Sequence, residues 1–232
     1  MPNRQIIALG GGGFSTEDTP LLDDYILRVC GKDQPKICFI PTACGDADSY
    51  VIKFYRRFAP IGCHATDLKL FTRQITDLDD FICSQDIIYV GGGNTANMLA
   101  IWHTHGLSKA LNLALYSGTI LAGISAGSIC WFQHGITDSF GGELAPLECL
   151  GFLPGSNCPH YDSETKRRPA YHQAIVNGMP GGYAADDGVA LHFVNEELVQ
   201  VIASRPQAKG YKLAIHAGKV LETALNTRFL GE

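Results

Sequence analysis

Short apolar runs separated by amphipathic stretches set the rhythm of this 232-residue chain. Gln5–Leu9, Lys36–Ile40, Thr66–Leu70, Ile87–Val90 and the run from Ile120 to Ile124 are brief, nearly continuous in apolar residues and bounded by Gly or Pro, which predicts buried strands. Helical spacing fills the gaps. It runs from Pro20 to about Cys30 (Leu21, Leu22, Tyr25, Ile26, Val29), from Tyr50 to Phe58, from Thr76 to Cys83, through Leu99 and Trp102 to about His105, and from Leu107 to Tyr116. Strands alternating with helices predict an α/β fold, a mostly parallel sheet with helices on both faces. Beyond His160 the texture changes. Val189–Val194, Leu198–Ala203, Lys212–His216 and Lys219–Thr223 are short and divided by turn residues such as Ala217-Gly218, which predicts antiparallel C-terminal hairpins closing the sheet's edge. No internal repeat or linker breaks the chain, so residues 1–232 read as a single domain.

Charge and cysteine usage narrow the function classes. A net charge of -5 argues against a general nucleic-acid surface. No apolar run approaches the ~20 residues of a membrane span, and the N-terminal apolar run is ended by glycines too early for a signal peptide. The eight cysteines include no C-x-x-C pair, and Cys38, Cys83 and Cys130 lie in apolar runs. Buried reduced thiols in a cytoplasmic protein fit that usage better than disulfides or zinc. The expectation is a cytoplasmic enzyme acting on a small molecule, with no metal, nucleic acid or membrane.

The chemistry centres on Gly123-Ile124-Ser125-Ala126-Gly127, a G-x-S-x-G pattern between a predicted strand and a helix. Such a turn needs small residues on both sides of the serine, because a side chain there would strike the neighbouring strand or helix. Ser125 would stand at the head of the helix, with the Ala126 N–H turned toward an oxyanion. A second source of donors is Gly91-Gly92-Gly93-Asn94-Thr95, a strand end entering a helix with no Cβ in the way. The run Gly10-Gly11-Gly12-Gly13 invites a dinucleotide cradle, but Ser15 stands where the third glycine of G-x-G-x-x-G belongs. It reads instead as a loop passing close to an active site.

A serine at such a turn needs a base and an orienting acid. Among eight histidines, His160 in Asn157-Cys158-Pro159-His160-Tyr161-Asp162 is best placed, in a Pro-stiffened polar loop after the last parallel element. Asp138 lies between Ser125 and His160, giving the order Ser, Asp, His, while Glu143, Glu148 and Asp162 are rivals. Asp186-Asp187-Gly188 reads as a turn, or as a site for a substrate's free amino group.

In their order these segments resemble the peptidase E family of serine peptidases: the glycine run after the first strand, Val90–Thr95, the G-x-S-x-G pentapeptide and Pro159-His160-Tyr161. The resemblance implies a class I glutamine amidotransferase-like fold without metal or organic cofactor. In it Ser125 is nucleophile, His160 base, and Asp138 the acid with Glu143 as alternative. Gly93 and Ala126 supply the oxyanion hole, Gly92 lies beside it and Asn94 borders the substrate. The better-known members remove an N-terminal aspartate from dipeptides, which calls for a cation. The matching segment here carries Lys166, Arg167 and Arg168, with the two arginines as candidates. A monomer or homodimer acting on a small peptide is expected. The alternatives are a cyanophycinase-like hydrolase of β-aspartyl-arginine and a catalytically silent binding module on the same fold.

Overall fold

Five strands carry the core: β1 (Gln5–Leu9), β2 (Lys36–Ile40), β3 (His64–Asp67), β4 (Ile87–Val90) and β5 (Ile120–Ile124). They pair in parallel, in the order β1-β5-β4-β2-β3. The helices between them are α1 (Leu21–Cys30), α2 (Asp48–Phe58), α3 (Leu78–Cys83), α4 (Thr95–His105) and α5 (Leu107–Ser117). A short α6 (Ala126–Ile129) follows β5 directly. The computed structural model describes residues 2–17 and 20–231; residues 1, 18, 19 and 232, which the predicted single domain includes, lie outside that description.

Strand periodicity explains why both faces are covered. Ile6 and Ala8 of β1, with Ile88 and Val90 of β4, pack with Trp102 of α4, Leu111 of α5 and Ile82 of α3. Ile7, Leu9, Ile87 and Tyr89 point the other way, onto Leu22 and Ile26 of α1 and Phe54 and Phe58 of α2. Each large apolar side chain so buried contributes about 1.5–3 kcal/mol, which makes this sheet the rigid frame for what its strand ends carry.

Beyond α6 come β6 (Phe132–Thr137), β7 (Ala145–Glu148), β8 (Leu153–Cys158), α7 (Arg167–Val176), β9 (Gly182–Ala185), β10 (Val189–Val194), β11 (Glu197–Ala203), β12 (Gly210–His216), β13 (Lys219–Ala224) and β14 (Arg228–Phe229). β10 pairs antiparallel with β1, β11 with β10, and β14 adds to β11, completing an eight-stranded sheet. The remaining strands form a second sheet of six, in the order β13-β12-β9-β8-β6-β7. This corrects one expectation. The β12–β13 hairpin does not close the edge of the main sheet: β12 pairs with β9, Gly210 opposite Ala185, and buries little beyond Gly210 and Leu213. The third strand also differs, spanning His64–Asp67 instead of reaching Leu70, whose side chain is buried in the turn that follows.

β9 belongs to the second sheet and β10 to the main one, so the chain crosses between sheets at Asp186-Asp187-Gly188. Because β10 runs antiparallel to β1, this crossing lies against the residues just past β1. The Gly10 N–H donates to Val189 O (2.8 Å) and the Gly188 N–H to Gly11 O (3.1 Å).

Candidate active site

Ser125 stands between β5 and α6 with φ 56° and ψ -110°. A non-glycine residue reaches that region only when its surroundings over-determine it, at a cost of about 1–3 kcal/mol. The glycines on either side show how. A Cβ on Gly123 would fall 2.2 Å from Gly127 O, and one on Gly127 would fall 2.4 Å from Val90 O. The turn is therefore closed against β4 with backbone on backbone, and Ser125 is pushed outward, half-buried.

Successive carbonyls at the end of β1 hold two of the predicted residues. The Ser125 N–H donates to Leu9 O (3.2 Å) and the His160 N–H to Gly10 O (3.0 Å). His160 shares the unusual backbone, with φ 54°. Its Nδ1 lies 2.6 Å from Oδ1 of Asp187. The pair fits because position 11 has no side chain: a Cβ there would meet Asp187 Oδ1 at 2.1 Å and His160 Cε1 at 3.2 Å. The glycine run thus serves the site, as a loop that lets a carboxylate and an imidazole approach the strand end. Phe14 anchors its far end, packing edge-on against Phe39 and Tyr89.

Burial raises the Asp187 carboxyl, but hydrogen bonds from His160 and Ser163 and the charges of His160 and Arg205 outweigh it, and the group lies below the ordinary aspartate range. Its backbone is fixed too. The Asp187 N–H donates to Asp162 Oδ1 (2.9 Å), and Asp162 Oδ2 is paired with Arg205 (2.6 Å).

Asp138 is elsewhere. It is exposed, in a turn where its carbonyl accepts from Gly141 (3.2 Å), and its neighbours serve the start of α4. The Ala96 N–H donates to Ser139 Oγ (3.2 Å), and Thr137 Oγ1 lies 2.7 Å from the same atom. Glu143 is exposed and paired with Lys166 (3.2 Å). The carboxylate on His160 is that of Asp187, which follows it in the chain, where the expectation placed Asp138, ahead of it. The sequence signal was Asp186-Asp187-Gly188 itself, read as a turn because its antiparallel return to β1 was not visible.

Gly92 lies against the serine: a Cβ on it would be 3.3 Å from Ser125 Cβ. Gly93 has φ 140°, and a Cβ there would fall 2.2 Å from Ala43 O. Among the described residues, no acceptor takes the N–H of Gly93 or of Ala126. Both N–H groups are thus without a protein acceptor among these residues, one following Ser125 and one following Gly92, which packs on the serine. Asn94 is engaged in the scaffold: its Oδ1 accepts from Asn97 N (2.8 Å) at the start of α4, and its Nδ2 donates to Ser139 O (2.8 Å). Ser125 Oγ has no hydrogen-bond partner among the described residues, His160 included. Catalytic hydrogen bonds are often long in unliganded sites and tighten only around substrate.

The two predicted substrate arginines separate. Arg167 is buried at 3% exposure and spends its guanidinium inside the fold, on Ile136 O (2.9 Å) and Glu164 Oε2 (2.7 Å). It is a structural residue, not a substrate cation. Arg168 is exposed but held: it lies over the rings of Tyr161 (4.6 Å) and Tyr211 (5.0 Å) and pairs with Glu222 (3.3 Å). Glu222 also accepts from the Tyr161 hydroxyl (2.6 Å) and lies 2.8 Å from His172 Nε2. Burial raises the Glu222 carboxyl, but these partners outweigh it and leave it below its ordinary range.

Among the described residues no group of three or more His, Cys, Asp or Glu could hold a metal, and no helix is long and apolar enough to cross a membrane. Comparison with known proteins gives a consistent family. The sequence pattern described as Peptidase family S51 matches residues 6–201. The uncharacterized peptidase YgaJ of Bacillus subtilis (strain 168) is 50% identical over 230 residues, 98% of this chain and 100% of that protein. Peptidase E of Pasteurella multocida (strain Pm70) is 24% identical over 84% of this chain and 87% of its own length. Among solved structures, a peptidase from an acI-B1 Actinobacterium shares the fold with a TM-score of 0.75 at 19% identity, covering 99% of this chain and 96% of its own. A putative peptidase E protein from Listeria monocytogenes EGD-e does so with a TM-score of 0.63 at 18% identity, covering 97% and 100%.

Proposed function

The chain belongs to peptidase family S51, and we propose that it is a serine exopeptidase of short peptides, in which Ser125, His160 and Asp187 act as nucleophile, base and orienting acid. The observation that carries this reading is Asp187 Oδ1 lying 2.6 Å from His160 Nδ1, on a histidine whose backbone, like that of Ser125, is hydrogen-bonded to the end of β1 (Gly10 O and Leu9 O). A carboxylate on Nδ1 fixes the tautomer that leaves Nε2 as the acceptor, the state a general base needs.

In this mechanism Ser125 Oγ attacks the scissile carbonyl carbon as His160 Nε2 takes its proton. The carbonyl oxygen, now negative, lies between the N–H groups of Gly93 and Ala126. Removing one such donor typically costs about 10²–10³ in rate. The C–N bond breaks as His160 returns the proton to the leaving amine. Water, deprotonated by the same imidazole, then releases the acyl group and restores the serine.

Dipeptides with N-terminal aspartate are the first substrates to test, because the peptidase E resemblance points to them. The test is hydrolysis of a dipeptide panel varying the first residue (Asp, Glu, Asn, Gly, Ala, Arg) and including β-aspartyl-arginine, by wild type and Ser125→Ala. Serine-dependent cleavage of Asp-first peptides is the expected result. Serine-dependent cleavage of another member keeps the catalytic residues and replaces the substrate class. No serine-dependent cleavage overturns the reading.

A further inference from the structure

A peptidase that selects a substrate carboxylate needs a cation not already committed to the protein's own anions. Near the candidate site most are committed: Arg167 to Glu164 and Ile136 O, Arg168 to Glu222, Arg205 to Asp162 and Lys166 to Glu143. Lys53 differs. Its Nζ donates to the neutral Ser15 carbonyl (3.1 Å), and no carboxylate among the described residues lies within ion-pair distance of it.

Lys53 lines a cavity of about 290 Å³ with Ser15, Cys44, Ala47, Ser49 and Tyr50. The cavity lies between the two loops that build the site. On one side is the oxyanion segment: the Gly92 N–H points at the Tyr50 hydroxyl (3.5 Å), and Gly93 packs on Ala43 and Cys44. On the other is the end of the glycine run, where Ser15 closes the turn Gly13–Ser15 and its hydroxyl donates to Gly12 O (2.8 Å). Tyr50 is held against Phe14 and Phe39, with ring centroids 5.4 and 5.0 Å away, so the wall is rigid.

We propose that this cavity is the subsite for a carboxylate of the peptide substrate, with Lys53 as its counter-ion and specificity residue. The proposal rests on the peptidase reading and deepens it by assigning charge selection to α2 and not to α7. In a dipeptide two carboxylates lie within reach of the scissile bond, an acidic first side chain and the C-terminal carboxylate. Either would meet the ammonium with a charge-assisted hydrogen bond.

The experiment uses Asp-Ala, Ala-Ala and their C-terminal amides. Binding is measured by calorimetry to Ser125→Ala with and without Lys53→Gln, and hydrolysis by the enzyme with Lys53, Lys53→Gln or Lys53→Arg. Lys53 is exposed on a helix and Gln has similar helix propensity, so the fold should persist; a thermal melt checks it. The expected result is that Lys53→Gln weakens binding and raises KM about tenfold or more for peptides with the recognised carboxylate. kcat should change little, and Lys53→Arg should restore part of the loss. Selective loss for the Asp-first pair identifies the side chain, and selective loss for the free acids identifies the C-terminus. Equal weakening of all four peptides, or of none, overturns the subsite. Lys53-dependent binding to Ser125→Ala without any serine-dependent turnover would sink the peptidase reading and leave the subsite standing.

Discussion

Gly11 lies so close to Asp187 that a Cβ on it would fall 2.1 Å from Oδ1, the oxygen that His160 Nδ1 meets at 2.6 Å. The obstructed atom is the end of a side chain, so Gly11→Ala should be accommodated by rotating the carboxylate off the imidazole. Folding should survive while kcat falls by at least about tenfold, toward the level of an enzyme lacking the acid. Gly127→Ala makes the contrasting case, because its Cβ would meet backbone, Val90 O at 2.4 Å. There a marked loss of thermal stability should accompany the loss of activity. A Gly11→Ala enzyme with normal turnover would mean that the Asp187 contact is dispensable.

Asp187→Asn should lower kcat by about 10³–10⁴, by analogy with the orienting acid of serine-protease triads. Asp138→Asn, in an exposed turn, should stay within about twofold. The reverse pattern would return the acid to Asp138. Because the Asp187 carboxyl lies below its ordinary range, its linkage runs in one direction. It contributes stability above the unfolded value near 4, and that contribution is lost as pH falls through the lower folded value. Asp187→Asn should therefore lose less stability on acidification below pH 4 than the wild type.

The parallel half of the fold was legible because each strand there is a compact apolar run and each helix shows its own stripe; Gln5–Leu9, Lys36–Ile40 and Ile87–Val90 match to the residue. The tight turns at Ser125 and Gly93 were legible for a local reason, since the backbone approaches there require glycine. Of the second sheet only the β12–β13 hairpin was legible. β6 and β8 mix Gly, Ser, Asn, Gln and His with few apolar residues, because their burial comes from partners distant in sequence. Asp187 fell into the same gap. Its contact with His160 follows only once β10 is known to run antiparallel beside β1, which brings residue 187 back to residue 11. The arginines show the limit of reading charge from a run of letters. Lys166, Arg167 and Arg168 look alike in sequence, but the register of α7 turns the middle one inward.

Arg167 should therefore behave as part of the fold. Arg167→Met keeps the length of the stem but leaves the Ile136 carbonyl and Glu164 without their donor. A loss of about 2–4 kcal/mol is expected, seen as a fall in Tm of roughly 5–15 °C. The ratio of kcat/KM for Asp-Ala to that for Ala-Ala should not move. A selective loss on Asp-Ala would restore Arg167 as a substrate residue.

Asp23 should contribute a loss of stability with rising pH up to the neutral range. It is fully buried beneath the glycine run, accepts from the Tyr89 hydroxyl (2.9 Å), and lies 3.5 Å from Arg57. Burial pushes its carboxyl up to about 7, against the lowering pull of Tyr89 and Arg57. The folded state thus holds a proton that the unfolded chain releases near pH 4. Between those two values the unfolded chain binds fewer protons, so stability is full below pH 4 and declines as pH rises toward 7. The direction is opposite to that of Asp187, and the window is different. Asp23→Asn can still accept from Tyr89 but carries no titratable proton. His192, lowered to about 4 by burial, pulls the other way below about pH 6.5, so the two proteins are compared directly: urea unfolding at pH 5, 6, 7 and 8 should show the stability of the wild type relative to Asp23→Asn falling as pH rises. A difference between the two proteins that does not change with pH would mean that Asp23 stays ionised throughout, with Arg57 a stronger partner than its 3.5 Å separation implies.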